Sequence, residues 1–95
     1  MANEVPVEER EIIELEDAER EAMAVLRRRT HSKIKNLFIE SSDLKRSGDL
    51  VMYDIKGRLD LVTRPKGFLK KEKVEERDFK IVIDALTGKC IGARV

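Results

Sequence analysis

The stretch Leu50-Val-Met-Tyr-Asp-Ile-Lys-Gly-Arg-Leu-Asp-Leu-Val62 decides the fold. Val51, Tyr53, Ile55, Leu59 and Leu61 fall on odd positions, with Asp54, Lys56, Arg58 and Asp60 between them. Successive side chains of a strand point to opposite faces, so this pattern predicts one strand with a buried apolar face and a polar one. Residues 50–62 would span roughly 40 Å at about 3.3 Å per residue, which is long for a strand. Gly57 interrupts the apolar face at its middle, where a bulge or bend would let the sheet curl.

The flanks extend the reading in both directions. Upstream, Ile34 to Ser41 is rich in β-branched and aromatic residues and predicts a first strand, with Ser42, Asp43, Ser47, Gly48 and Asp49 marking the connection. Downstream, Arg64 to Arg77 contains Pro65, Gly67 and the run Lys70, Lys71, Glu72, Lys73, and reads as a loop or hairpin tip. Phe79, Ile81 and Ile83 alternate with Lys80, Val82 and Asp84 as a third strand, and Lys89 to Val95 returns as a fourth with Ile91, Ala93 and Val95 in phase. Between them Asp84, Thr87 and Gly88 define a turn, because an aspartate accepts from backbone amides two or three residues on and glycine supplies a left-handed residue.

Ahead of the strands, Val7 to Arg29 holds neither Gly nor Pro and is rich in Glu, Ala, Leu, Met and Arg, which favour helix. Pro6 sits where a first-turn proline is tolerated, Glu8, Glu9 and Glu11 suit the positive end of the helix dipole, and Arg27 to Arg29 suit the negative end. Ile12, Leu15, Ala18, Ala22, Val25 and Leu26, with Met23 alongside, recur every three or four residues as one apolar stripe. Asp17 could instead cap a helix beginning near Ala18. Residues 1–14 are accordingly an acidic arm or a helix extension, and 15–95 the domain. The fold class is α+β, a long N-terminal helix packed on a four-stranded twisted antiparallel sheet.

Here the sequence resembles a known family. The terminal stretch Phe79-Lys-Ile-Val-Ile-Asp-Ala-Leu-Thr-Gly-Lys-Cys-Ile-Gly92, preceded by Tyr53-Asp-Ile-Lys-Gly-Arg-Leu59 and by an Ala-rich helix, is similar to PepSY-type domains over roughly residues 15–95. The resemblance implies a helix laid across a sheet whose strand closes in an Asp-x-x-Thr-Gly turn. Such domains occur in peptidase propeptides and bacterial envelope proteins, and a role in restraining peptidases has been proposed for them. The segment from Arg64 to Arg77 is longer and more basic than the family's usual connection, so architecture is what the resemblance carries to this chain.

Composition narrows the function classes. The 95 residues and 11.0 kDa suit one domain. With 41% hydrophobic and 41% charged residues, and 20 Lys and Arg against 19 Asp and Glu, the chain is too apolar for disorder and too balanced for a polyelectrolyte. The charge is uneven along its length: residues 1–29 hold five Arg and nine acids, net −4, and residues 30–95 hold fifteen basic and ten acidic residues, net +5. A single cysteine, Cys90, forms no internal disulfide, which points to a reducing, cytoplasmic setting. The first twenty residues carry no signal-peptide pattern, and no apolar run is long enough to insert in a membrane.

Catalytic and metal constellations are thin. His31 and Cys90 are the sole candidates for a base and a thiol nucleophile, and they read as a helix-end histidine and a small strand residue. Glu8, Glu9, Glu11, Glu14, Glu16, Asp17, Glu19 and Glu21 read as a solvated helix face, with Glu16 and Arg20 an i,i+4 pair. Gly48, Gly57, Gly67, Gly88 and Gly92 are scattered singly, so there is no phosphate loop. The expectation is a non-enzymatic protein-interaction or regulatory module that needs no cofactor or metal. Its partner is another protein, or a second copy of the chain met through a sheet edge or the N-terminal helix. The alternative is nucleic-acid binding through a phosphate-contacting patch at Arg64, Lys66, Lys70, Lys71 and Lys73, with Arg27, Arg28, Arg29, Lys33 and Lys35 as a second cluster. The string Arg27-Arg-Arg-Thr30 also fits a basic-directed phosphorylation pattern.

Overall fold

A computed structural model describes residues 12–63 and 72–95. One helix, α1 (Leu15–Arg29), precedes four strands: β1 (Lys33–Ser47), β2 (Leu50–Thr63), β3 (Lys73–Asp84) and β4 (Cys90–Arg94). The strands form one antiparallel sheet in the order β1-β2-β3-β4, so every strand pairs with its neighbours in the chain. The α+β class and the four-stranded sheet are as expected.

The core lies on one face of the sheet. Ala18, Ala22, Val25 and Leu26 of α1 meet Val51, Tyr53, Ile55 and Leu59 of β2, Phe79, Ile81 and Ile83 of β3, and Ala85. These β2 and β3 residues are the odd-numbered face read from the sequence, and Leu61 packs half-buried against their cluster. The two alanines let the helix axis approach the sheet, and each fully buried Leu or Ile contributes about 1.5–3 kcal/mol relative to an exposed one.

Helix α1 is 15 residues and not the 23-residue helix from Val7 to Arg29 that the composition favours. Ile12 to Glu14 lie outside it, because tertiary hydrogen bonds hold this stretch extended. The Ile13 N–H donates to the Ala85 carbonyl at 2.8 Å, and the Ile13 carbonyl accepts from the Tyr53 hydroxyl at 2.9 Å. Glu14 occupies the N-cap with extended φ and ψ and no side-chain cap, so Asp17 is a first-turn residue and caps nothing at Ala18. Leu15 is 38% exposed and leaves the apolar stripe.

The strands correct the expected boundaries. Strand β1 runs on to Ser47, because the polar segment Ser42 to Arg46 is an edge strand and not a connection, and Gly48 and Asp49 alone make the turn. Gly48 has φ 60°, the conformation that favours glycine in a two-residue hairpin. Strand β3 begins at Lys73, so residues 73–77 are strand and not loop; residues 64–71 lie outside the described part of the chain. The irregularity expected at Gly57 lies across from it: β1 shifts register between Lys35 and Phe38 and again between Ile39 and Ser41, with Asn36 at φ 52°. In β4 the register shifts opposite Val82 and Ile83, which turns Ile91 outward to 49% exposure and out of phase with Ala93. The turn between β3 and β4 follows its reading, since Asp84 Oδ1 accepts from the Leu86 and Thr87 amides at 2.8 and 3.3 Å and Gly88 has φ 76°.

Candidate interaction site on the open face of the sheet

With α1 on the odd-numbered face, the even positions of β2 and β3 make a face that no described element covers. Asp54 lies on it, yet its side chain is only 4% exposed. Lys45 Nζ from β1 reaches Asp54 Oδ2 at 2.9 Å, and Lys80 Nζ from β3 stands 3.8 Å from the same oxygen. Burial pushes the Asp54 carboxyl up, but the Lys45 hydrogen bond and the charges of Lys80, Lys45 and Lys56 outweigh it and hold the group below its ordinary value. The same hydrogen bond raises Lys45. Asp54 Oδ1 is buried and has no hydrogen-bond partner.

One step along the strands, the register sets three cations side by side. Lys56 of β2 pairs with Lys80 of β3, and Lys80 pairs with Arg94 of β4. Directly opposed side chains stand about 4.5–5.5 Å apart at Cβ, where like charges destabilise. The row borders a shallow depression of about 340 Å³ lined also by Glu40, Arg58 and Asp78. Both of those carboxylates turn to Arg58, whose Nε is 2.7 Å from Glu40 and 3.6 Å from Asp78. Among the described residues, neither Lys56 nor Arg94 has an ion-pair partner.

Beside the row lies an unpaired edge. Strand β4 pairs only with Lys80 to Ile83, which leaves Lys73 to Phe79 of β3 without an outer neighbour among the described residues. The Asp84 N–H donates outward to the Lys89 carbonyl at 2.8 Å. Backbone direction alternates along an unbulged strand, so Val74, Glu76 and Asp78 present their amides and carbonyls to the same outer edge. The other edge, β1, is broken by its two register shifts and carries Lys33, Lys35, Lys45 and Arg46.

Of the residues singled out in the sequence, Arg64, Lys66, Lys70 and Lys71 lie outside the described residues, and Lys73 is exposed at the start of β3. Arg27 to Arg29 are exposed at the end of α1 and Lys33 and Lys35 on β1, and Arg28 pairs with Glu21 at 3.1 Å. Arg20 pairs with Asp17 and not with Glu16. The Thr30 hydroxyl donates to the Leu26 carbonyl at 2.8 Å, closing the helix end. His31 is exposed, and the Cys90 thiol donates to the Gly92 carbonyl at 3.3 Å. Asp54, Lys56 and Lys80 read in the sequence only as polar positions of two strands, Arg94 carries no signal there, and the strand register brings the four together. No helix among the described residues is long and apolar enough to cross a membrane. Comparison of the chain with protein-family models, curated proteins and solved structures found no match.

Proposed function

We propose that the chain is a small non-enzymatic interaction module whose ligand is another protein, taken up as an added strand along β3. The observation that carries this is the edge from Lys73 to Phe79, seven residues in regular register with β2 and unpaired outside among the described residues. An added strand forms main-chain hydrogen bonds for affinity, and its alternate side chains supply specificity. A helix on a four-stranded antiparallel sheet is compatible with the PepSY resemblance, in whose members a peptidase-restraining role would be a protein-binding one. A reducing, cytoplasmic setting, in which Cys90 stays a thiol, belongs to the same reading.

The test is capture from source-cell lysate at high salt with nuclease, comparing the natural chain with Glu76→Pro. Proline removes the outward N–H of Glu76 and leaves the bonds of β3 to β2 in place, a substitution edge strands tolerate. A protein retained by the natural chain and lost with Glu76→Pro is the expected result. Equal retention by both, or retention of nucleic acid alone, would count against the proposal.

A further inference from the structure

We propose that the row Lys56, Lys80 and Arg94 is an anion-recognition site that takes the carboxylates of an acidic peptide segment. It rests on the protein-binding reading and adds to it the chemistry of the partner.

Three observations converge. The row is a like-charge alignment across three adjacent strands, which costs stability in the isolated molecule. The carboxylates nearest to it are shared with cations outside the row, Glu40 and Asp78 with Arg58 and Asp54 Oδ2 with Lys45. Asp54, almost fully buried beneath, holds Lys80 within 3.8 Å and so positions the middle cation while leaving Lys56 and Arg94 for a ligand. The row crosses the strands over about 10 Å, two inter-strand spacings, which suits one or two carboxylates.

The surroundings decide between anions. A nucleic-acid strand carries its charge as a continuous track, and here the cations end at Glu40, Glu76 and Asp78, whose charge repels the next phosphate. An extended peptide added at Lys73 to Phe79 would lie in line with β4, and its residue nearest Arg94 would project toward the row. An acidic side chain at that position meets Arg94 first, with Lys80 and Lys56 behind it along the row.

The probes are an otherwise uncharged hexapeptide with two glutamates two residues apart, a single-stranded oligothymidylate of equal length, and inorganic phosphate, each titrated against the full chain by amide chemical shifts. The peptide should move the amides of Lys56, Lys80 and Arg94, and the double variant K56Q/R94Q should weaken it by at least about tenfold. The variant's melting temperature should be equal to or above that of the natural chain, because relieving like charges removes a cost. Glu76→Pro should leave phosphate binding at the row while abolishing partner capture, so that the edge and the row can fail separately. The inference is overturned by peptide shifts away from the row, by undiminished binding in K56Q/R94Q, by tighter oligothymidylate than peptide binding at the row, or by no shift with any probe.

Discussion

The hydroxyl of Tyr53, in the middle of the sheet, donates to the main-chain carbonyl of Ile13 at 2.9 Å, across forty positions of the chain. Together with the Ile13 N–H to Ala85 bond, it fastens the segment before α1 to β2 and to the turn after β3. A buried neutral hydrogen bond is worth about 1 kcal/mol net. Tyr53→Phe should therefore lower the unfolding free energy by about 1 kcal/mol in urea, and should speed exchange of the Ile13 amide more than of amides in β2. Unchanged Ile13 exchange would show that Ala85 alone fixes this segment.

Gly57 is a packing position. A Cβ there would run into the Phe38 carbonyl oxygen and the ring of Phe79, 2.6 Å from its Cζ. The Phe79 ring has some freedom to turn, but the Phe38 carbonyl belongs to the shifted backbone of β1 and has little. Gly57→Ala should cost about 3 kcal/mol or more, at the upper end of overpacking effects. Calorimetry that finds an unaltered melting temperature would mean that β1 can slide away from β2 at this point.

Asp54 gives the molecule an acid limb. Its carboxyl is held below the ordinary 3.8 by Lys45 and Lys80 against the opposing effect of burial. A depressed folded value stabilises the native state above the unfolded value, and that contribution is lost as pH falls from about 4 through the folded value. Asp54→Asn should cost about 1–2 kcal/mol at neutral pH. It should also flatten the decline of stability below about pH 4, which denaturant titrations at several pH values would reveal. A parallel decline in both proteins would assign the acid limb to other carboxylates.

Much of this architecture was legible in one strand. The alternation from Val51 to Leu61 fixes which face of β2 is buried, and Asp84, Thr87 and Gly88 fix the last hairpin, because both are local consequences of side-chain chemistry. The start of α1 was not legible: Ile12 continues the apolar stripe of the helix and Glu14 favours helix, and the bonds that Ile13 makes with Ala85 and Tyr53 override both. Strand β1 runs further than its sequence suggests, because an edge strand needs only a weak apolar pattern and Ser42 to Arg46 look like a connection. The row of Lys56, Lys80 and Arg94 was hidden for a different reason. Each residue is an ordinary polar strand position, and only the register between strands, set partly by a shift in β4, aligns them.

The meander order has a consequence for synthesis. Helix α1 leaves the ribosome before the four strands, but the surface that buries Leu26 and Val25 is completed only with Ile83 and Ala85, roughly 60 residues later. At about 5–20 residues per second the helix waits about 3–12 s with its apolar stripe uncovered. The strands β1 and β2 are joined by the Gly48 and Asp49 turn alone and can meet during that interval, but a two-stranded hairpin without its third strand is marginal in water. An isolated helix of 15 residues is itself marginal in water, so α1 and the sheet gain their stability together once β3 supplies Ile83 and Ala85.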